Sequence, residues 1–451
     1  MRTFDDFAAA KNKGEFCAYA VDEFRSTPEY AEAKTAEAYS AKHNVTIENF
    51  QKKLRTLSGA TVPDIFSTNY KIKSLVFPRL VTQQALYVLS NGVKLLDMDN
   101  KDKLGKSFDY KLQKLARKAL VGGQAFGFWN YDHLEVFGFA ETKTDPGFCP
   151  LYDSKTGALR AGIRFWRRKI GDKYVSFFTL YEEDGYTEYS ATDEGKVTAV
   201  EEKRPYIQTS ISTIAGGVEA VIGENYSSLP IVPLYANDNH QSELVGIREA
   251  IDCYDLVKSG FANDIDDANG FYWLLKNTGG MDDADLALFL QRMKSLKAAA
   301  IDADEGVDAE AHTIDIPVTA RETLLDRLER DIYKDYQGLD VSSLSAAAKT
   351  AQEIQAAYQP MDNKCAMFEY ELIEFMDKVL ALAGMPDEEV SFTWNKITNM
   401  TEQTNMVLSA GNLLSEECII SHLPFLTPEE AAAEIEKRAQ GDYQQFSADE
   451  E

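Results

Sequence analysis

Cysteine is scarce in this chain. Cys17, Cys149, Cys253, Cys365 and Cys418 lie far apart, are odd in number and include no CxxC pair. That argues against disulfide staples and zinc ligands and fits thiols in a reducing compartment. Histidine is equally thin. His43, His133, His240, His312 and His422 form no i, i+4 pair and no HExxH, so a zinc protease site is not expected. GxGxxG, GxxxxGK[ST] and GxSxG are all missing. No apolar run approaches the ~18–20 residues that span a bilayer. The opening residues, Met1-Arg2-Thr3-Phe4-Asp5-Asp6, lack the apolar stretch of a signal peptide. A soluble chain made inside the cell, without membrane insertion, is therefore expected. Positive charge is also in deficit: 47 Lys and Arg face 73 Asp and Glu, for a net charge of -26. An ordinary nucleic-acid binder, with its basic surface, is excluded. A protein that handles DNA without gripping it is not.

What is present is enough for a core: 44% of the 451 residues are hydrophobic and 11% aromatic. At ~100–200 residues per domain, two to four domains are expected. The pattern is helical to about residue 60, with Thr27-Pro28-Glu29 as a helix start. Residues 40–120 hold 15 Lys and Arg against 6 Asp and Glu, so charge is segregated along the chain. Leu112, Leu115, Ala119 and Leu120 share a helix face, and Gly122-Gly123 suits its end better than a phosphate cradle. From about 124 short aromatic and β-branched runs take over, including 125–129, 134–139, 164–166 and 174–181, with Asp184-Gly185 as a hairpin signal.

Helical spacing returns with Leu244, Ile247, Ile251, Tyr254, Phe261 and Ile265, which predicts one helix over 243–268. Residues 269–315 read as a compact insert with an aromatic strand, Phe271-Tyr272-Trp273-Leu274-Leu275. A second long helix follows Pro317 and ends at Gly338; a third spans about 346–383, with Pro360 inside it as a kink and Gly384 as its stop. A strand over 390–394, and a capping box at Thr427-Pro428-Glu429-Glu430, come last. The fold class is α+β, mainly α. The two long helices around the insert form a hairpin too long to bury its own stripe, which points to packing beside copies of itself.

The acidic run Asn263-Asp264-Ile265-Asp266-Asp267 fails the EF-hand pattern: position 6 from Asp264 is Asn269 and position 12 is Leu275. A metal hydrolase using Asp264, Asp266 and Asp267 is kept as a rival reading. No catalytic constellation emerges, so no enzyme activity and no cofactor are expected.

Several segments carry a resemblance. They are Asn69-Tyr70-Lys71-Ile72-Lys73 with Leu86-Tyr87 and Asn91-Gly92; Ala119 to Gly127; and Leu229 to Tyr235 leading into Ile247 to Asp255 and Asn263 to Asp267. Asp315-Ile316-Pro317-Val318 with Tyr336 to Asp340, and Leu414 to Glu417 with Leu423-Pro424 and Pro428 to Glu430, complete the set. In this order they resemble the portal proteins of tailed bacteriophages, of the type found in long-tailed siphophages, over about 60–430. The resemblance implies a portal fold with wing, stem, clip and crown. It divides the chain into an N-terminal helical arm (1–60), wing (61–242), stem helix (243–268), clip (269–315), second stem helix (316–337), tunnel loop (338–349), kinked wing helix and return strand (350–395), and crown with acidic tail (396–451).

It also implies a ring of usually twelve subunits at one capsid vertex of the virion, assembled in the host cytoplasm; another head-tail structural protein is the alternative. Double-stranded DNA would be packaged and ejected through it. The partners implied are the terminase large subunit as motor, capsid and scaffold proteins, and a head-completion adaptor. In the tunnel loop Ser342, Ser343, Ser345 and Lys349 are the candidate DNA contacts; Phe271, Tyr272 and Trp273 are candidates for contact between subunits in the clip. The family's Gly-containing loop is replaced here by Ser345-Ala346-Ala347-Ala348-Lys349-Thr350. An acidic channel wall fits a conduit that must not hold its cargo; the basic 40–120 region would then face away from the channel, toward capsid or scaffold.

Overall fold

The fold is that of a computed structural model, described for residues 2–55, 60–64, 67–192, 196–212, 219–268, 272–276, 308–312, 317–342, 351–396, 404, 407–412, 414–423, 426 and 428–439. In chain order, α1 (Phe4–Ala8), α2 (Lys13–Arg25), α3 (Pro28–Ser40) and α4 (Val45–Asn49) precede β1 (Lys53–Arg55) and β2 (Thr61–Pro63). Then come α5 (Val76–Leu89), β3 (Val93–Leu95) and α6 (Phe108–Gly122). A run of strands follows: β4 (Gln124–Asn130), β5 (His133–Gly138), β6 (Gly147–Tyr152), β7 (Leu159–Ile170), β8 (Lys173–Glu182) and β9 (Gly185–Thr192). It continues through β10 (Val197–Ala199), β11 (Ile207–Ser212), β12 (Glu219–Glu224) and β13 (Ile231–Tyr235). After α7 (Arg248–Ala268) come β14 (Tyr272–Lys276), β15 (Asp308–His312), α8 (Val318–Tyr336) and α9 (Ala351–Leu382). The last elements are β16 (Val390–Phe392), α10 (Glu416–Ser421) and α11 (Pro428–Ala439).

These elements form two compact units. One takes residues 1–33, 80–242 and 337–451; the other takes 34–79 and 243–336. The segment read as an N-terminal arm is thus divided between them.

The first unit is built on a sheet of order β10-β9-β8-β7-β6-β5-β4-β13. Neighbours are antiparallel except β5 and β6, which meet in parallel at Gly138 and Gly147. Alternation in β7 puts Ala161, Ile163 and Phe165 into the core. There Phe7, Cys17, Val21 and Phe24 of the amino-terminal helices join them. Phe24 makes edge contacts with Phe139 at 4.9 Å and Phe165 at 6.1 Å. Burying such a ring is worth roughly 3 kcal/mol or more, which is why α2 packs onto the sheet. Helix α6 ends as expected: Gly122 closes it and Gly123 turns at φ +84°. No other residue fits there, since a Cβ would lie 2.4 Å from the His240 carbonyl oxygen. The Asp184-Gly185 hairpin also forms, with one refinement: Glu183 and Asp184 make the loop, and Gly185 is already paired with Glu182.

The second unit centres on α7 packed beside α8. Arg321 of α8 pairs with Asp264 of α7 and lies 5.7 Å over the Phe261 ring. Farther along, Tyr254 feels Glu329 and Asp326. The two helices therefore run antiparallel. Helix α7 begins at Arg248, five residues later than its apolar spacing predicts, because 243–247 form a turn. At the far end β14 pairs antiparallel with β15, from Tyr272 opposite His312 to Lys276 opposite Asp308. The insert between the long helices is thus closed at its base by a two-stranded ladder.

Candidate functional site

The buried face of α7 starts apolar and turns polar. Ile247 and Ile251 are followed, at the same four-residue step, by Asp255, Ser259 and Asn263, all buried. Each takes hold of segment 68–74, which belongs to no helix or sheet. The Ser74 amide donates to Asp255 at 3.0 Å. The Ile72 amide donates to Ser259 Oγ at 2.9 Å. The Tyr70 amide donates to Asn263 Oδ1 at 2.6 Å, and Thr68 Oγ1 donates to Asp266 at 3.3 Å. The match is geometric. Four helical residues rise about 6 Å and two extended residues about 6.6 Å, so alternate positions of one segment meet successive turns of the other. Segment 68–74 runs antiparallel to α7 and has its backbone satisfied by side chains instead of a neighbouring strand.

Asp255 anchors this ladder. It is 1% exposed and also accepts from Asn44 Nδ2 at 2.9 Å. Burial pushes its carboxyl up from the ordinary aspartate range, against the pull of the Ser74 and Asn44 bonds. Asn44 in turn caps α4 through Ile47 N at 3.1 Å and accepts from the Tyr39 hydroxyl at 3.0 Å. Tyr39 also donates to Asp252. Apolar spacing on α7 missed this ladder; the visible signal was Asp255, Ser259 and Asn263 continuing the register of Ile247 and Ile251.

The acidic run considered for a metal is distributed among protein partners. Asn263 bonds Tyr70, Asp264 pairs with Arg321, and Asp266 accepts from Thr68 and from the Tyr70 hydroxyl at 3.4 Å. Among the described residues no three His, Cys, Asp or Glu side chains are placed to share an ion.

Beyond α8 the chain turns at Gln337, with φ +61°, one residue before the glycine expected to stop the helix. Leu339 is then gripped at both backbone groups by one amide: Gln83 Nε2 donates to its carbonyl at 2.9 Å and its N–H donates to Gln83 Oε1 at 3.1 Å. Asp340 Oδ1 accepts from the Ser342 amide at 3.0 Å and from its hydroxyl at 2.6 Å. Ser342 is exposed at this turn. Of the other loop candidates, Ser343, Ser345 and Lys349 lie outside the described residues, as does Phe271. Tyr272 and Trp273 are in β14, opposite His312 and Ala311.

Pro360 is exposed within α9, which runs without a break from Ala351 to Leu382. On either side of it the helix is tied to α5 and to the residues that follow β16. Tyr87 donates to Asp362 and stacks on Tyr358 at 5.9 Å. Lys396 pairs with Asp362 at 2.8 Å, and Trp394 Nε1 donates to Glu369 at 2.9 Å. Gly384, at φ +79°, ends the helix as its position suggests. Many cations of the basic region are paired: Lys118 with Asp145 at 3.0 Å, Lys101 with Asp109 at 2.8 Å, and Lys73 with Glu48 at 2.6 Å. No helix among the described residues is long and apolar enough to cross a membrane.

Comparison with known proteins adds a family. The model described as phage portal protein, SPP1 Gp6-like, matches residues 67–445. The portal protein of Clostridium phage phiCD119 is 25% identical over 410 residues, which cover 82% of this chain and 86% of that protein. The portal protein of Bacillus phage SPP1 is 26% identical over 229 residues, 47% of this chain and 44% of that protein.

Proposed function

Because the chain belongs to the SPP1 Gp6-like family of phage portal proteins, we propose that it is a non-enzymatic ring at one capsid vertex, through which double-stranded DNA is packaged and ejected. The observation that carries the ring is the outer face of α7. Its inner face is taken up by the polar ladder, yet Cys253 and Leu256 are exposed on the opposite side and a Cβ at Gly260 would meet nothing. An apolar and small stripe on a long helix, at steps of three and four, suits close approach by a neighbouring copy.

In this reading 61–242 are wing, 243–268 and 316–337 stem, 269–315 clip, 338–349 tunnel loop, 350–395 the wing helix bent at Pro360 with its return strand, and 396–451 crown. Ser342, Ser343, Ser345 and Lys349 brush the DNA backbone. A single Lys among serines gives contact without a clamp, since each neutralised phosphate adds salt-sensitive affinity. Phe271, Tyr272 and Trp273 meet the next subunit in the clip. The channel wall is acidic, and the 40–120 region faces capsid or scaffold. Usually twelve such copies form the ring; the packaging ATPase and the head-completion adaptor dock on it, and assembly takes place in the host cytoplasm.

Negative-stain images of purified protein test this directly. Rings with a central hole are expected; compact single particles at every protein concentration would sink the proposal.

A further inference from the structure

The β7–β8 hairpin outruns the sheet that carries it. Strand β6 pairs with β7 only as far as Phe165, and β9 pairs with β8 only from Val175 onward. β7 and β8 stay paired from Trp166 opposite Phe177 to Ile170 opposite Lys173; β9 still flanks β8 as far as Val175, and the last two pairs, Lys169 with Tyr174 and Ile170 with Lys173, stand clear of both neighbours. Gly171, at φ +61°, turns the tip. Residues 167–170 and 173–174 are all exposed, Ile170 at 57% and Tyr174 at 48%.

The ribbon is a second basic segment, outside the 40–120 region, in an acidic chain. Arg167, Arg168, Lys169 and Lys173 stand against Asp172 alone, in a protein of net charge -26. One face carries Trp166 stacked on Phe177 at 5.4 Å, with Val175 and Ile170 beyond. The other carries Arg167 over the Tyr174 ring at 4.8 Å. Arg168 and Lys169 have no carboxylate partner among the described residues. Along 166–170 the side of β7 that β6 would occupy has no strand among the described residues. At the tip the ribbon is two strands wide, which is marginal alone in water, and the β7 edge is open over 166–170, so this hairpin gains by being covered.

We propose that this hairpin docks on the acidic surface of the adjacent copy of the same chain. The inference rests on the ring reading above and names one of its contacts. Three observations select a copy of this protein over another anion. Each copy carries a large excess of carboxylates. A free strand edge offers main-chain donors and acceptors that a polypeptide can pair and a phosphate backbone cannot. Ile170 and Val175 give apolar contact that a phosphate backbone does not use. The contact is heterologous: basic hairpin to a different, acidic patch, head to tail, which is the kind that closes rings.

The test uses the full chain. Arg167→Glu, Arg168→Glu and Lys169→Glu are combined, and assembly is followed by native mass spectrometry and sedimentation. Circular dichroism should show an unchanged fold, since all three side chains are exposed. The concentration needed for rings is expected to rise at least tenfold. In parallel, a photo-crosslinking amino acid at Ile170 should give a ladder of dimers, trimers and higher species. Wild-type protein that never forms rings would overturn the ring reading and this contact with it. Wild-type rings together with a triple variant that assembles at the same concentration would overturn this contact alone, leaving the cations as guards against stray strands. Normal assembly with lost binding to a short DNA duplex would reassign the hairpin to nucleic acid.

Discussion

A carboxyl group at Asp255 lies inside the protein with two donors aimed at it, the Ser74 amide and Asn44 Nδ2. Replacing it by Ala strands both. Each buried donor left without a partner costs about 1–3 kcal/mol, so Asp255→Ala should lower unfolding stability by roughly 2–6 kcal/mol, read from urea curves. The pH dependence has a definite sign. The folded-state pKa is raised above the ordinary 3.8 by burial. In the folded protein the group therefore takes up its proton before the unfolded chain does. Its titration adds stability as pH falls through the folded pKa toward 3.8, and that addition is lost as pH rises again. The gap between wild type and Asp255→Ala should accordingly be wider at pH 4 than at pH 7; a gap that narrows would contradict the raised pKa. Gln337 makes the opposite case. It holds φ +61° without a glycine's freedom and is exposed. A left-handed residue with a Cβ costs about 1 kcal/mol. Gln337→Gly should return that amount, seen as a higher urea midpoint at constant slope.

At the scale of elements, local patterns were legible and partnerships across the chain were not. Strand runs around 125–129 and 174–181 were visible because their aromatic and β-branched residues alternate, and the Gly123 and Gly384 stops because only glycine tolerates those turns cheaply. The helix pair and the aromatic strand of the insert were likewise readable from spacing and turn residues; the pairing of that strand with β15 was not. The polar ladder was not. Counting apolar residues treats Asp255, Ser259 and Asn263 as a solvated face, whereas their partner is a stretch of chain nearly 200 residues earlier (|i−j| = 193 for Tyr70 and Asn263). The same holds for Gln83, which looks like a surface glutamine until Leu339 is placed against it. Because one amide satisfies both backbone groups of buried Leu339, Gln83→Leu should remove roughly 1–3 kcal/mol. The loss is local, so hydrogen exchange is the right readout. The Leu339 amide should lose protection by tenfold or more while strands β4 to β8 keep theirs, and unchanged protection at Leu339 would rule out the clamp.

For the whole molecule, assembly must overcome charge. About twelve copies at -26 each would bring on the order of -300 formal charges together. With a Debye length of about 8 Å at physiological salt, long-range repulsion is screened, and short-range complementarity along the helices and the β7–β8 ribbon decides the outcome. The thiols report on this without any mutation. Cys17 and Cys149 are buried, with burial pushing the Cys17 thiol up to about 12 and Cys149 up as well; Cys365 is buried too. They should stay silent toward a thiol reagent in any native state. Cys253 is exposed on the outer face of α7, between the turns that carry Glu249 and Leu256. If that face packs against a neighbour, Cys253 should react freely in single subunits and at least tenfold more slowly in rings. Half-buried Cys418 serves as the internal reference in both. Leu256→Glu on the same stripe should keep the subunit folded, since the side chain is 40% exposed, while blocking ring formation. Should Cys253 label equally fast in rings and subunits, the copies would have to meet through some other face, and the exposed stripe on α7 would need a different occupant.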